Sequence, residues 1–304
     1  MLLVALVPAP VFAEQPLRIG TNVWPGYEPL YLAAEREQWP QRLGLRLVEF
    51  PSATEVIRAF RNRALEAAAL TLDEVLVLQE AGLPLKVVTV LDISAGGDVI
   101  LARPDITEPG ALRGRRIGVE SGALGAYVLT RALELNGMQL DQVEVVHLDV
   151  SAHERAYMDG SIDAVVTFEP VRTRLLAAGA RELFSSREIP GEIVDVLVVH
   201  EEVLERHRGR LEQLVAGWFR ALHYMAGEPA AAAAFTARRL KVSPEEVLAS
   251  YRGLELPGVA DNARLLGADL QPTLRRLQQT MLSNDLLLQV GDTRNLLYPG
   301  LLPR

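Results

Sequence analysis

Polar, aromatic and glycine residues recur where short apolar segments of this sequence end. Hydroxyl, indole and carboxylate groups bind small molecules through hydrogen bonds, and glycine lets backbone N–H groups come close to a ligand. The pattern therefore predicts a binding crevice, for which the candidate residues are Trp24, Tyr27, Ser52, Thr54, Thr71, Asp92, Ser121, Gly122, Ala123, Glu169 and Asp195.

The familiar patterns of catalytic and metal-binding sites are absent from the sequence. It contains no cysteine, which excludes thiolate catalysis, disulfides and cysteine-ligated metals. Its histidines are not spaced to bring two of them to one helix face as metal ligands. Two residues separate Gly118 from Ser121, whereas a nucleophile elbow needs one. We expect no catalytic residue, no metal site and no cofactor.

Length and composition narrow the class of protein further. The chain has 304 residues, 49% of them hydrophobic, which predicts a large core divided between two lobes. Its 31 basic and 39 acidic residues give a net charge of -8, and the basic residues are scattered. Nucleic acid is therefore not an expected partner, because phosphate binding needs a basic patch.

The N-terminus resembles a secretory leader. Residues 1–13, MLLVALVPAPVFA, are apolar but too short to span a bilayer, and the small side chains of Val11 and Ala13 suit a signal peptidase. The usual basic start is missing, so we expect an incomplete signal peptide over residues 1–13; a buried first strand is the alternative. No later segment is long and apolar enough to be transmembrane. A periplasmic monomer without stable membrane insertion is the expected form.

Apolar segments alternate with amphipathic ones through most of the chain, which predicts an α/β fold with mostly parallel sheets. One strand–helix series runs to about residue 97 and a second begins after Pro104. Within the second, Ser151 and Glu154 predict a capping box. Residues 201–284 have a helical pattern. Open parallel sheets bind ligands at the carboxyl ends of their strands, where the candidate residues lie.

The two series predict two βα lobes joined by a two-stranded hinge, with a helical C-terminal part. We expect residues 14–97 and 198–304 to form lobe 1 and residues 98–197 to form lobe 2. The chain would then cross between lobes near residues 96–100 and again near residues 194–198.

Three segments together, IGTNVWPGYEPLYLA, LRGRRIGVESGALGAYVL and DGSIDAVVTFEP, resemble the nitrate/sulfonate/taurine-binding proteins of ABC transporters and the related thiamine-precursor-binding proteins. The resemblance implies a type II periplasmic binding fold that captures a small nitrogen- or sulfur-containing solute between its lobes and delivers it to an ABC transporter permease. It matches Trp24 and Tyr27 to the first-strand loop, Ser52 and Thr54 to the second, residues 121–126 to a helix start in lobe 2, and Glu169 to an acidic residue before proline. The family often has a Gly-Ser pair where this chain has Ser52-Ala53-Thr54.

Two other functions fit parts of this pattern. A sensor module for a membrane signalling protein would bind its ligand in the same way. An enzyme that makes the thiamine pyrimidine, which is related to this family, would need catalytic cysteines that the chain lacks.

The charge of the candidate loops favours a particular ligand. They contain carboxylates and neither lysine nor arginine, and an unpaired carboxylate in a closed cleft is costly. We therefore expect an amine, amidine-like or pyrimidine-type solute rather than nitrate, bound near Asp92, Asp98, Glu120, Glu169 and Asp195.

Overall fold

The structure is a computed structural model that describes residues 15–120 and 122–304. The predicted signal peptide over residues 1–13 and the candidate residue Ser121 lie outside the described residues, and so does the side chain of Ala123. Strands and helices alternate up to His200, and helices predominate after it. The predicted α/β class is confirmed.

The described residues contain strands in two separate sheets, called sheet A and sheet B here. In chain order the strands are β1 (Leu17–Asn22), β2 (Leu45–Phe50), β3 (Ala67–Thr71), β4 (Leu85–Ser94), β5 (Val99–Ala102), β6 (Arg116–Val119), β7 (Glu144–His147), β8 (Ala164–Thr167), β9 (Arg181–Ser185), β10 (Val194–His200) and β11 (Leu254–Glu255).

The two sheets repeat one topology. Sheet A has the order β11-β4-β10-β3-β1-β2, and sheet B has the order β7-β6-β8-β5-β9. In sheet A, β1 lies between β2 and β3 and is parallel to both, and in sheet B, β6 lies in the same way between β7 and β8. An antiparallel strand comes next in each sheet: β10 beside β3 in sheet A and β5 beside β8 in sheet B. Where the connections from two neighbouring parallel strands run in opposite directions along a sheet, a crevice opens at the carboxyl ends of those strands.

Helices cover the sheets and form the C-terminal part. They are α1 (Glu28–Glu37), α2 (Trp39–Arg42), α3 (Ala53–Arg61), α4 (Leu72–Glu80), α5 (Ala123–Leu135), α6 (Val150–Asp159), α7 (Val171–Ala177), α8 (Glu201–Gly227), α9 (Pro229–Leu240), α10 (Pro244–Ser250), α11 (Val259–Arg264) and α12 (Leu270–Ser283), with a π-helical turn over Leu265–Asp269. Among the described residues, none of these helices combines the length and apolarity needed to cross a bilayer.

The chain passes from sheet A to sheet B within residues 95–98 and returns within residues 186–193. The return comes earlier in the sequence than the expected hinge at residues 194–198. All seven residues of β10 are buried, and they pair with β3 and β4 of sheet A from Val194 to His200. Residues 194–197, expected in lobe 2, therefore belong to the sheet of lobe 1, because an apolar strand buried on both faces takes a central position.

Local signals in the sequence set several helix ends. The Ser52 side chain caps α3 by accepting a hydrogen bond from the Glu55 backbone N–H over 3.3 Å. Helix α5 ends just before Gly137, whose φ of 65° is the left-handed conformation that glycine adopts most easily. Both helix ends are therefore set by residues within a few positions of them.

Candidate ligand-binding site

Three polar residues lie side by side at one end of sheet A. Asp195 of β10 pairs with Thr71 of β3 on one side and with Asp92 of β4 on the other. The loop after β1 folds over this row, so that the Trp24 indole Nε1 donates to the Asp92 carboxyl group over 3.0 Å and the Tyr27 hydroxyl donates to Asp195 over 2.5 Å. Both rings are thereby held against sheet A.

Gly26 is required for this arrangement of the loop. A Cβ atom at this position would collide with the Asp92 carboxyl group and with the Trp24 indole nitrogen. The loop can therefore lie on the aspartates only when its central residue has no side chain. The turn at Pro25-Gly26 thus positions the two aromatic rings.

Sheet B contributes the opposite wall of the crevice. Glu120 follows β6, and its carboxylate accepts hydrogen bonds from the Thr54 backbone N–H over 3.2 Å and the Thr54 hydroxyl over 3.0 Å. Thr54 lies in the first turn of α3, which covers sheet A, so these bonds join the two halves of the molecule. Phe168, just after β8, packs edge-on against Trp24 with ring centroids 5.4 Å apart.

A cavity of about 40 Å³ lies between the two sheets. This is room for roughly three groups the size of water, so the cavity in this conformation fits only part of a small solute. The lining residues are Asn22, Trp24, Tyr27, Ala53, Thr71, Glu74, Asp98, Glu120, Gly122, Leu124, Gly125, Val128, His153, Val166, Phe168 and Asp195.

Acidic side chains dominate the charge of this cavity. Four of the described lining residues carry carboxyl groups, namely Glu74, Asp98, Glu120 and Asp195, whereas none of the described lining residues is lysine or arginine. One buried carboxyl oxygen of Asp98, Oδ2, has no hydrogen-bond partner among the residues that the structure describes. The cavity therefore offers carboxyl groups, which can accept hydrogen bonds and can ionise, to whatever enters it.

Burial sets the protonation of these groups. Burial raises the pKa of Asp92 to about 8 and the pKa of Asp98 to about 7. It also raises the pKa of Asp195 well above its ordinary value, and the neighbouring Asp92 adds to this. The pKa of Glu74 is likewise raised well above its ordinary value, first by burial and then by Asp73. Each of these carboxyl groups would release its proton more easily if a cation lay beside it.

His153 is a lining residue that the sequence reading did not select. Its Nδ1 lies 3.3 Å from the Thr167 hydroxyl, and burial lowers the pKa of the ring to about 4. The imidazole is thus neutral at pH 7 and a weak base. The chain has no cysteine, and the described lining residues include no serine, so His153 has no nucleophile of either kind to activate there.

The structure brings together five of the predicted residues in the cavity wall: Trp24, Tyr27, Thr71, Gly122 and Asp195. Asp92 lies immediately behind Trp24 and Gly26, and Thr54 reaches the cavity through its bonds to Glu120.

Two predicted residues are used elsewhere. Ser52 caps α3 and is not among the lining residues. The Glu169 carboxylate accepts hydrogen bonds from Arg172 over 3.0 Å and from the Thr173 backbone N–H over 3.1 Å, and it does not line the cavity. Glu169 was expected near the ligand but lies outside this cavity, where Arg172 in the first turn of the following helix α7 neutralises it.

Two important residues were missed by sequence reasoning. Glu74 is in the first turn of α4, where an acidic residue is common in any helix, and its carboxylate accepts from the Thr71 backbone N–H over 3.0 Å. Phe168 adjoins the selected Glu169. The available signal was the position of both residues directly beside a strand's carboxyl end, where a ligand crevice is expected.

A family model described as the NMT1-like family matches residues 13–241, which is more than half of the chain. The chain belongs to the NMT1-like family. Among the relatives of this family member, the taurine-binding periplasmic protein of Escherichia coli K12 is 25% identical over 163 residues, covering 52% of this chain and 50% of that protein. The chain spans about half the length of the curated relatives it matches.

Solved structures show the same fold over nearly the whole chain. The periplasmic aliphatic sulphonate-binding protein SsuA of Escherichia coli has a TM-score of 0.75 at 19% identity, covering 95% of this chain and 99% of that one. The desulfurization enzyme DSZB has a TM-score of 0.70 at 19% identity, covering 95% and 97%. The predicted periplasmic binding fold and the resemblance to taurine- and sulfonate-binding proteins are confirmed. The fold itself serves both binding proteins and an enzyme.

Proposed function

We propose that this chain is the extracytoplasmic solute-binding component of an ABC importer and that it delivers its solute to a membrane permease. The family, the periplasmic relatives and the cavity between two repeated α/β units support this role. Residues 95–98 and 186–193 connect the units and are the proposed hinge. Binding in the cavity would draw the two units together, as in other proteins that close around a ligand.

The proposed solute is small and carries a protonated or N–H-donating nitrogen. The observation that carries this proposal is the acidic wall: the cavity's described residues supply four carboxyl groups from both units and neither lysine nor arginine. A bound cation would balance the negative charge of these groups when they ionise, whereas the described lining residues offer an anion no lysine or arginine to balance its charge.

The aromatic residues support the same class of solute. Trp24 and Tyr27 line one wall and Phe168 lines the other. Ring faces attract cations, most strongly when water is excluded from the contact. Carboxyl groups behind aromatic rings therefore suit an amine, an amidine or a protonated pyrimidine.

Binding without chemistry is the proposed outcome. An enzyme on this fold would need a nucleophile beside a positioned base. The His153 Nδ1 lies 3.3 Å from the Thr167 hydroxyl, and the lowered pKa of the ring makes it a poor base at neutral pH. The DSZB likeness therefore bears on the fold and not on activity.

A binding panel tests the ligand class. Isothermal titration at pH 8 should compare small amines, amidines and pyrimidines with nitrate and ethanesulfonate. Taurine belongs in the panel because it carries both an ammonium and a sulfonate group. We expect one or more nitrogen compounds to bind and the two simple anions to fail. Tight binding of nitrate or ethanesulfonate without any response to the nitrogen compounds would overturn the proposed ligand.

Hinge closure can be tested separately with the best ligand. Small-angle scattering of the free and saturated protein reports the radius of gyration, which we expect to fall on binding. An unchanged value would contradict closure, unless double electron–electron resonance between labels in the two units shows that the free protein already has the bound distance.

A further inference from the structure

A second cavity lies at the first crossing between the two units. It has a volume of about 240 Å³ and is lined by Gly96, Gly97, Glu169, Arg172, Arg187, Ala249, Ser250, Arg252 and Gly253. Three separate parts of the chain converge there: the crossing itself, the sheet B unit and the C-terminal helices. Its wall includes three arginines, whereas the described wall of the first cavity includes none.

Two of these arginines are held in place from the sheet B unit. Arg172 of α7 donates to Glu169 and to Glu182, in both cases over 3.0 Å. Arg187 is 3.8 Å from the same Glu182 carboxylate. The Arg187 guanidinium also rests on Gly96, since a Cβ atom there would collide with it. The absence of a side chain at Gly96 therefore leaves room for this guanidinium.

The third arginine comes from the other side. Arg252 lies in the 3₁₀ turn Tyr251–Gly253, which follows α10 and leads into β11 of sheet A. Its side chain is exposed, and no ion pair within the described residues engages it. Gly253 packs against the backbone of Gly96 and Gly97, which brings this turn to the crossing.

The charges and donors of this group are not balanced. Three guanidinium groups face two carboxylates, Glu169 and Glu182, so the cavity keeps a net positive charge. An oxyanion in this cavity would supply acceptors and negative charge to these guanidinium groups.

We propose that this cavity is an anion-binding site for a small oxyanion, with sulfate as its simplest probe. Guanidinium groups bind sulfate, phosphate, sulfonate and carboxylate oxygens through paired, charge-assisted hydrogen bonds. An anion here would join Arg172 of the sheet B unit and Arg187 of the second crossing to Arg252 beside sheet A. It would therefore bind more tightly when the units are together, and by linkage it would favour closure.

The test uses the full chain without any solute, so its result does not depend on the proposed ligand of the first cavity. Sodium sulfate is titrated by calorimetry against sodium chloride of equal ionic strength. We expect saturable sulfate binding that chloride does not reproduce. Arg252→Gln should weaken the sulfate affinity by about tenfold or more, which is the usual effect of losing one charged hydrogen-bond donor.

Arg275→Gln on α12 is the matched control, because Arg275 is an exposed arginine and lies outside the lining set of this cavity. It should leave the sulfate affinity unchanged. Circular dichroism and thermal unfolding establish that both variants fold. Arg187→Lys is a second test variant, which keeps the positive charge but loses the paired N–H donors of the guanidinium. Equal losses in R252Q and R275Q, or a wild type that does not distinguish sulfate from chloride, would overturn the site.

Discussion

Two sets of buried carboxyl groups in this protein behave in opposite ways. Glu192, in the second crossing, is 4% exposed and accepts hydrogen bonds from the Tyr127 hydroxyl over 2.6 Å and the Arg131 Nε over 2.8 Å, while Arg276 lies 3.5 Å away. Burial alone would raise the pKa of Glu192, but these partners outweigh it and lower the pKa. Glu74 in the cavity is as deeply buried, at 2% exposed, and burial raises its pKa well above the ordinary value.

Both carboxyl groups have little exposed surface, and they differ in whether an arginine contacts them. A buried carboxylate with an arginine beside it stabilises the fold. Glu192 does so by joining α5 to α12 across the two units through its ion pairs with Arg131 and Arg276. A buried carboxyl group without a cation from its own chain has a raised pKa, and a cation beside it would favour its ionised form. We infer that the first set stabilises the fold and that the second recognises the solute, and four predictions test this contrast.

The largest effect is expected at Glu192. Glu192→Ala removes the acceptor of Arg131 and Tyr127 and leaves the mostly buried Arg131 guanidinium with Glu134 as its remaining carboxylate partner among the described residues, which should lower the free energy of unfolding by about 3 kcal/mol. Urea denaturation measures it. Glu144→Gln, an exposed carboxylate on β7, should change the free energy by less than about 0.5 kcal/mol. If both variants change the free energy of unfolding by the same amount, the contacts of Glu192 do not stabilise the fold.

The next effect concerns solute affinity. Asp195→Asn keeps the shape and can still accept from the Tyr27 hydroxyl, but it cannot become an anion beside a bound cation. We expect a loss of affinity of roughly tenfold or more for a cationic solute at pH 8, with stability unchanged or higher. Titration calorimetry and thermal unfolding give the two quantities, with the exposed Asp141→Asn as control. Wild-type affinity in D195N would remove Asp195 from the proposed site.

The pH dependence of stability should distinguish the sets as well. The folded pKa values of about 8 for Asp92 and about 7 for Asp98 lie above the ordinary value of 3.8, so the native state binds more protons than the unfolded state between these limits. Their contribution to stability is fully present below about pH 4. It falls as pH rises, by up to about 1.4 kcal/mol per pH unit for each group, and is lost once pH passes about 7 for Asp98 and about 8 for Asp92.

Unfolding of the ligand-free protein from pH 5 to pH 8 measures this slope, and Asp92→Asn should flatten it. The affinity for a cationic solute should change in the opposite direction and rise with pH, because the ionised carboxylates bind it. A wild-type slope in D92N would show that Asp92 does not titrate in this range.

The smallest effect is expected at the bond that closes the cleft. Thr54→Val removes the hydroxyl that donates to Glu120 and keeps the backbone N–H that does the same. Solute affinity should fall by about fivefold, the usual worth of one such hydrogen bond. Thr54→Ser retains the hydroxyl and should bind as the wild type does. Identical affinities in the valine and serine variants would exclude this bond from closure.

Much of the fold could be read from local patterns. The strands that begin at Leu17 and Leu45, the helix cap at Ser52 and the helix end before Gly137 all depend on residues within a few positions in the sequence. The capping box expected at Ser151 did not form, because α6 already begins at Val150. Such boundaries are decided by a balance of small local energies, and tertiary packing can shift them by a residue or two.

Part of the cavity wall could be predicted for the same reason. Strand ends and a turn at Pro25-Gly26 place Trp24, Tyr27 and Asp195 together whenever the sheet forms. The acidic character of the crevice also followed from composition. Glu74 was missed because an acidic residue in a first helical turn has an ordinary explanation that does not involve a ligand.

The sequence by itself determined that this chain forms two parallel α/β units with polar, acidic strand ends facing each other, because periodicity, turn chemistry and composition are local properties. Only the tertiary structure decided which carboxyl groups meet an arginine. Arg172 neutralises Glu169, and Arg131 with Arg276 neutralises Glu192, whereas the described wall around Asp195 and Glu74 holds no such cation. Arg276 and Glu192 lie far apart in the sequence, so their meeting depends on how the whole chain packs, and that packing separates carboxylates that stabilise the fold from those left for a ligand.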